Sequence, residues 1–441
     1  MKRMVLMFLI VMLILPFAVF AGGEQEEAPV VVEDTEVVTD GKYVPEKKVK
    51  LAFWHSYSGP RAVLFESLVE EFMDANPNIK IELSYGGNLY TMRDKLLTAV
   101  AGKNAPDIAE IDSYWTPIFA DAGALIDMKP YIDETGYDQN DLMDASLAST
   151  QYMGKSWSIP FNLSNIVLYY NKKAFEAAGL DPEVPPATWE ELAEYAEKLT
   201  IDKNGDGVTD QYGIVFPTKA NYGSIWYYLA FFWQQDGQLF NEALTEGAFN
   251  TEAGVAAAEY WRDIVWKHKA LNLSGGWSEF KVGNAAMELS STSVLGNYRD
   301  VMGNANVGLA QLPMGKKKAT VSGGGNLAIF KDCKDPRAAW EFLSWMSSPE
   351  VNKRWCLSTG ALPTRKSVID SPEYQDFLKT DPKGEVLLSG LEFTMIRPNI
   401  PEYGDASRII AQAVEKAVYD NVDPAPLLDE AKVEVDKLFK D

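Results

Sequence analysis

The chain has 441 residues and a formal net charge of −22, and 46% of its residues are hydrophobic. A chain of this length exceeds a single compact core, so two or more lobes are expected. Its acidity argues against nucleic acid or an anionic membrane surface as a partner, because both would repel a negative protein surface.

The N-terminal segment has the pattern of a signal peptide. Lys2 and Arg3 provide a positive start, residues 4–15 are apolar, and small residues precede a cleavage position near Ala21. The apolar run is short for a membrane-spanning helix. We therefore predict a signal peptide over residues 1–21 and an exported protein, periplasmic or at the cell surface. An acidic segment without periodicity follows, and it predicts a flexible linker over residues 22–48.

Strands and helices alternate in the next part of the chain. The patterns predict strands at 49–54, 79–83 and 107–111, separated by helices at 60–75 and 90–101. Such a β-α-β-α-β series is typical of an α/β lobe, with binding loops at the ends of its strands.

The segment 159–172 predicts a crossing between two lobes. A turn-like sequence, Ile159-Pro160-Phe161-Asn162, precedes a buried strand at 166–170, and Lys172 begins a helix. Polar side chains thus stand where the chain enters a buried strand, which suits a ligand held at the crossing. Segments 323–326 and 360–365 resemble a second and a third crossing.

Two local features leave alternatives open. The only cysteines, Cys333 and Cys356, could form a disulfide in an exported protein or remain as two free buried thiols. The acidic loop 202–210 resembles a calcium loop, although Gly213 replaces the closing Glu of an EF-hand, and an acidic turn is the alternative. Its candidate oxygen ligands for a structural calcium ion are Asp202, Asn204, Asp206, the Val208 carbonyl and Asp210.

Catalytic motifs are weak in this chain. It has two histidines, His55 and His268, and no Gly-x-Ser-x-Gly sequence accompanies them. A carboxylate pair for glycoside hydrolysis stays open in so acidic a protein. A secreted carbohydrate-active enzyme is therefore the rival hypothesis, and a structural adhesin on a stalk is a third.

Binding of a sugar or polyol is better supported. Such ligands need aromatic platforms together with amide, hydroxyl and carboxylate partners. The polar candidates at predicted strand ends are Ser56, Asp112, Ser113, Asn162, Ser164, Asn165, Ser291, Ser293 and Asn326. The aromatic candidates, for which core packing is the alternative, are Trp54, Tyr114, Trp115, Trp226, Trp233 and Trp277. Arg397 could hold a phosphate or carboxylate, donate to sugar hydroxyls, or form a structural salt bridge.

These motifs occur in the order found in a known family. The motifs include Trp54-His55-Ser56, Ile159-Pro160-Phe161-Asn162, Leu168-Tyr169-Tyr170-Asn171-Lys172 and Thr188-Trp189-Glu190-Glu191. With them the chain resembles family 1 extracellular solute-binding proteins, the ligand-capturing subunits of ABC importers. The resemblance implies a non-enzymatic, monomeric α/β protein with the two-lobed type II periplasmic-binding fold of maltose-binding proteins. It implies a membrane permease as partner and three hinge crossings between an N-terminal lobe (49–158 plus 322–362) and a C-terminal lobe (159–321 plus 363–441).

Resemblance within the family leaves the ligand open. The motif containing His55, the Ser-rich run after Met287 and the Gly323-Gly324-Gly325 sequence are similar to the glycerol-3-phosphate-binding branch. That similarity implies ligand contacts from Ser164, Ser291, Gly324 and Arg397. This chain has Asp112-Ser113-Tyr114-Trp115 where that branch has a Tyr-Glu pair. Asp112 and the sequence Phe231-Phe232-Trp233-Gln234 are more similar to the oligosaccharide-binding branches. The expected ligand is therefore a sugar or sn-glycerol 3-phosphate.

Overall fold

The computed structural model describes residues 38–39, 42–220, 223–276 and 278–440. The predicted signal peptide and most of the predicted linker lie outside these residues. Within the described part, two main β-sheets are packed among helices.

The elements alternate along the chain and are numbered here in chain order. The strands are β1 (Val38–Thr39), β2 (Lys42–Tyr43), β3 (Val49–His55), β4 (Ile79–Tyr85), β5 (Ile108–Asp112), β6 (Gln151–Tyr152), β7 (Lys155–Ser156), β8 (Ile159–Ser164), β9 (Ile166–Asn171), β10 (Tyr212–Val215), β11 (Ala285–Ser291), β12 (Val307–Ala310), β13 (Thr320–Val321), β14 (Gly323–Ile329) and β15 (Thr394–Met395). The helices are α1 (Pro60–Ala75), α2 (Leu89–Ala101), α3 (Thr116–Asp121), α4 (Lys129–Thr135), α5 (Asp144–Thr150), α6 (Lys172–Ala177), α7 (Trp189–Lys198), α8 (Ser224–Gln234), α9 (Glu252–Trp266), α10 (Glu279–Val282), α11 (Leu295–Met302), α12 (Pro336–Met346), α13 (Pro349–Thr359), α14 (Lys366–Ile369), α15 (Pro372–Thr380), α16 (Pro382–Ser389), α17 (Tyr403–Asp420) and α18 (Pro424–Val435).

The first main sheet contains the predicted β-α-β-α-β series. Its strand order is β4-β3-β5-β14-β8; the first three strands are mutually parallel, and β14 runs antiparallel to both β5 and β8. Helix α1 covers this sheet because Phe65, Leu68, Val69 and Phe72 recur at helical spacing and are buried. Parallel strands place their carboxyl ends at one edge, where a ligand can be held.

The predicted turn at Ile159-Pro160-Phe161-Asn162 is wrong, because these residues begin strand β8. Proline lacks a backbone N–H and is found in sheets mainly on edge strands. Strand β8 is the edge strand of the first sheet, so Pro160 is accommodated there. The predicted lobe limits begin the second lobe at Ile159, whereas strand pairing keeps residues 159–164 in the first sheet.

The second main sheet has the strand order β10-β11-β9-β12. Strand β11 is parallel to β10 and antiparallel to β9, so it is covered on both edges. Helix α8 is buried along its whole length, as its run of aromatic and aliphatic residues on every face requires. The core of this half of the molecule is therefore rich in aromatic side chains.

Three segments carry the chain between the two sheets. A single residue, Asn165, separates β8 in the first sheet from β9 in the second. The chain returns from β12 through β13 to β14. Beyond α13, Leu362 donates its backbone N–H to the Leu163 carbonyl at 2.8 Å, beside the first crossing. The expected α/β organisation with crossing segments is confirmed.

The two cysteines are free and buried. Burial raises the pKa of Cys333 to about 12 and raises that of Cys356 as well, so neither thiol ionises near neutral pH.

We expect an aromatic disulfide reagent at pH 8 to react slowly with both thiols of the native chain, because they are buried, and to titrate both thiols after unfolding in guanidinium. A change of electrophoretic mobility on reduction, or the absence of thiols in the unfolded chain, would instead reveal a disulfide.

Candidate functional site

A polar cavity of about 540 Å³ lies beside the crossings, a volume in the range of small-molecule sites. One wall is formed by the carboxyl ends of β3 and β5, the start of α1 and the crossing strands, with Ser56, Tyr57, Ser58, Arg61, Glu110, Asp112, Asn162, Ser164, Gly323 and Gly324. The opposite wall, from α8, α10, β11, α11 and the 3-10 turn between β11 and α11, has Trp226, Tyr227, Lys281, Glu288, Ser290, Ser291, Ser293, Asn297 and Tyr298. Side chains from both main sheets thus face the same space.

Most of the predicted binding residues meet in this cavity. Those that line it are Ser56, Asp112, Asn162, Ser164, Trp226, Ser291, Ser293, Gly324 and Arg397. Trp226 is held by its indole N–H, which donates to the Ser322 carbonyl at 3.0 Å. Trp277 lies outside the described residues, so its predicted role stays a prediction.

His55 and Trp115 do not line the cavity, which corrects their predicted contacts with a ligand. The His55 ring packs against Phe65 with ring centroids 5.3 Å apart, and burial lowers its pKa. Consecutive residues at the end of a strand face opposite sides, so Ser56 reaches the cavity and His55 the core. Trp115 is fully buried against Tyr114 and Phe119 and serves core packing.

Asn165 and Asn326 also lie outside the main cavity. The Asn165 amide donates to Thr394 Oγ1 at 3.3 Å, which ties the first crossing to strand β15. The Asn326 amide donates to the Ser149 carbonyl at 3.0 Å and borders a second cavity of about 110 Å³. Asn162 and Arg397 border both cavities, so the two spaces are neighbours.

Arg397 is held in a buried ion pair. Its Nη2 donates to Asp112 Oδ1 at 2.5 Å and to Ser113 Oγ at 2.7 Å, and its guanidinium lies 4.4 Å from the Tyr114 ring centroid. Burial opposes the charged form of Arg397, but the Asp112 carboxylate raises its pKa. The structural salt bridge left open by the sequence is therefore formed, and this guanidinium already has an anionic partner.

Glu110 is a cavity residue that the sequence interpretation missed. Ser56 donates to Glu110 Oε2 through its backbone N–H at 2.8 Å and its hydroxyl at 2.7 Å. Burial raises the pKa of Glu110, and these two hydrogen bonds partly offset the rise. The signal available in the sequence is a lone charge inside the apolar run Ile108-Ala109-Glu110-Ile111.

Glu288 is a second cavity residue that the sequence interpretation missed. It interrupts the apolar strand β11, where it is 1% exposed, and its Oε2 accepts a hydrogen bond from the Tyr298 hydroxyl at 2.7 Å. Burial raises its pKa to about 7. The two carboxylates, Glu110 and Glu288, thus come from different sheets and border one cavity.

The acidic loop 202–210 is held by its own backbone. Asp202 accepts N–H donors from Gly205 at 2.7 Å and Gly207 at 2.8 Å, and Asp210 accepts one from Lys203 at 2.7 Å. In the part of the chain that the structure describes, no group of three or more His, Cys, Asp or Glu side chains could hold a metal ion. A calcium ion here, with Asn204, Asp206 and the Val208 carbonyl as further ligands, stays a prediction.

Comparison with known proteins identifies the family to which the sequence is similar. The chain matches the family described as bacterial extracellular solute-binding protein over residues 59–353. It is 30% identical over 356 residues to the sn-glycerol-3-phosphate-binding periplasmic protein UgpB of Escherichia coli K12, with 75% of this chain and 78% of that protein covered.

Solved structures show the same fold. The cyclic alpha-maltosyl-1,6-maltose binding protein of Arthrobacter globiformis is 28% identical, with a TM-score of 0.72 over 89% of this chain and 99% of that one. An ABC transporter solute-binding protein of Thermotoga lettingae bound to alpha-D-tagatose is 24% identical, with a TM-score of 0.80 over 88% of this chain and 99% of that one. No helix among the described residues is long and apolar enough to cross a membrane.

Proposed function

Because the chain belongs to the family of bacterial extracellular solute-binding proteins, we propose that it captures a carbohydrate for an ABC importer. The observation that carries this proposal is the 540 Å³ cavity whose opposite walls come from the two main sheets. Hydroxyl, amide and carboxylate groups share that cavity with the Trp226 indole, which is the combination that a sugar or polyol requires.

The mechanism that fits this geometry is closure of the two lobes around the solute. A ligand that contacts Asp112 and Ser164 on one wall and Trp226 and Ser291 on the other binds best when both walls are close. Such a ligand shifts the population from an open to a closed form, since only the closed form offers both sets of contacts. The membrane permease would then receive the closed form.

Two ligand chemistries are supported by different relatives. The UgpB relative is named for sn-glycerol 3-phosphate, and Ser164, Ser291, Gly324 and Arg397 all border the cavity as the resemblance to that branch implies. The Arthrobacter and Thermotoga proteins are named with saccharides. A sugar or a polyol phosphate is therefore the solute class to test.

A thermal-shift screen of the mature chain tests the proposal. The panel contains maltose, maltotriose, D-tagatose, sn-glycerol 3-phosphate and glycerophosphocholine. A compound present at 100 times its dissociation constant stabilises the native state by about 2.7 kcal/mol, because it binds that state alone. We expect at least one compound to raise the melting temperature by several degrees.

A pair of serine variants tests whether the ligand binds in the cavity. Analysis of the saccharide recovered from the protein tests whether it is cleaved. Ser291→Ala removes a cavity hydroxyl and should reduce the shift, whereas Ser67→Ala removes an exposed hydroxyl on α1 and should not. The bound saccharide should be recovered intact, since capture involves no bond cleavage. A panel without any shift would count against capture, and cleaved maltotriose would favour the rival glycosidase.

A further inference from the structure

Glu288 occupies an unusual place for a carboxylate. It lies in β11, an inner strand of the second sheet, where it pairs in register with Val215 of β10 and Tyr169 of β9. Its Oε2 accepts a hydrogen bond from the Tyr298 hydroxyl, and the Ser290 side chain lies close enough to favour its charged form, but among the described residues its buried Oε1 has no hydrogen-bond partner. Buried polar atoms are nearly always paired, and an unpaired one lowers stability. An unpaired acceptor oxygen of this kind is consistent with a hydrogen-bond donor that the ligand supplies.

Two spaces border Glu288. One is the 540 Å³ cavity, where Ser290, Ser291 and Tyr298 are its neighbours on the same wall. The other is a pocket of about 40 Å³ bordered by residues 215–217 and by Gly275 and Gly276, which bring no polar side chain. Only the larger space can hold a small molecule with hydroxyl groups.

The charges around the larger cavity are balanced. Among the described residues, the cationic side chains that border it are Arg61, Lys281 and Arg397, and the carboxylates are Glu110, Asp112 and Glu288. Arg397 is bonded to Asp112, the charge of Arg61 acts on Glu110, and that of Lys281 acts on Glu288. A phosphate ester would therefore meet no cation without a carboxylate nearby, whereas a neutral polyol has no charge to compensate.

We propose that Glu288 is a specificity-determining residue whose free Oε1 accepts a hydrogen bond from a ligand hydroxyl, so that the cavity selects a neutral polyhydroxyl solute over a phosphate ester. The inference rests on the proposed capture function and narrows its solute class. It needs the carboxylate in its ionised form, because a carboxylate with free lone pairs accepts strongly while an anionic phosphate beside it is repelled.

The surroundings of Glu288 make this contact sensitive to pH. The groups that face it are Tyr298 on α11, Lys281 on α10, Ser290 on its own strand and Tyr169 on β9, while β10 contributes the apolar Val215. Burial raises the pKa of Glu288 to about 7, and Tyr298, Ser290 and Lys281 oppose that rise. A hydrogen bond from a ligand hydroxyl to Oε1 favours the ionised form of Glu288. Saccharide binding should therefore tighten as pH rises through 7 and should release a proton below that pH.

Calorimetric titration of the mature chain tests the proposal at pH 6, 7 and 8. The probes are maltose, D-tagatose and sn-glycerol 3-phosphate, each measured in two buffers with different ionisation enthalpies so that released protons are counted. In Glu288→Gln, saccharide affinity should fall about 10- to 100-fold at pH 8 and lose its dependence on pH, because the charged acceptor is gone. Affinity for sn-glycerol 3-phosphate should not fall. Glu434→Gln, the same change at an exposed position of α18, should bind as the unaltered chain does.

Each outcome of the titrations supports or overturns the proposed role of Glu288. Unchanged saccharide affinity in Glu288→Gln would show that Oε1 is satisfied without ligand, for example by water in the 40 Å³ pocket, and would overturn the inference. Tight binding of sn-glycerol 3-phosphate by the unaltered chain, strengthening on acidification, would overturn it too while leaving capture intact. Failure of all probes contradicts the capture function itself. Proton release is measured on the unaltered chain, so a poorly folded Glu288→Gln leaves the test decisive.

Discussion

Arg397→Ala should lower the free energy of unfolding by about 3–5 kcal/mol, a range typical of removing one partner of a buried ion pair. The substitution leaves the Asp112 carboxylate without its cation and Ser113 without its donor, in a place where water has little access. It also removes the guanidinium that lies over the Tyr114 ring. Guanidinium unfolding of the purified chain, followed by tryptophan fluorescence, measures the change.

Two companion variants separate the ion pair from the size of the side chain. Arg397→Lys keeps a charge but not the planar fork, so it should retain part of the stability. Replacing both partners (Arg397→Met with Asp112→Leu) leaves no unpaired charge and should restore most of the loss, though not ligand affinity. A loss below about 1 kcal/mol in Arg397→Ala, as is usual for exposed pairs, would contradict the structural role.

Gly324→Ala should destabilise the chain by about 3 kcal/mol or more and deform the cavity, given the strain of a positive φ and a steric clash. The Gly324 φ is +134°, a region that residues with a side chain rarely adopt. An added Cβ would lie 1.9 Å from the Asn162 carbonyl oxygen on the paired strand β8. Urea unfolding and the thermal-shift response to the best panel compound measure the two effects.

Gly276→Ala is the matched control. That glycine has open space around its Cβ position and no positive φ, so alanine there should leave stability nearly unchanged. If Gly324→Ala were as benign as Gly276→Ala, strand β14 would not require the close approach to β8 that the structure shows. Gly324 then would matter only as a surface of the cavity.

The sequence predicted the architecture well because its signals were local. Apolar periodicity and glycine or proline boundaries revealed the β-α-β-α-β series, and motif order indicated the family. The predicted turn at residues 159–162 is the first part of the edge strand β8, since the sequence does not distinguish an edge strand, where Pro160 is tolerated, from a bend.

The cavity was predicted only in part because side-chain direction depends on packing. The pleat at the end of strand β3 points His55 and Ser56 to opposite faces of the sheet. The sequence shows this alternation, but it does not show which face packs against the core and which faces the cavity. Trp115 and Trp226 are both buried aromatic residues, and only the tertiary structure shows which of them borders open space. Glu110 and Glu288 were overlooked because a lone charge in an apolar strand has no fixed spacing to a partner.

The single residue between β8 and β9 has a mechanical consequence. Both strands are hydrogen-bonded into their own sheets, so a rotation of one sheet relative to the other at this crossing falls on the few backbone torsions around Asn165. Its side chain is fastened to Thr394, which restrains those torsions further. If the two sheets rotate as the proposed closure requires, a small change in the backbone torsions of Asn165 moves the far ends of both sheets by a larger distance, because each sheet extends well beyond this residue.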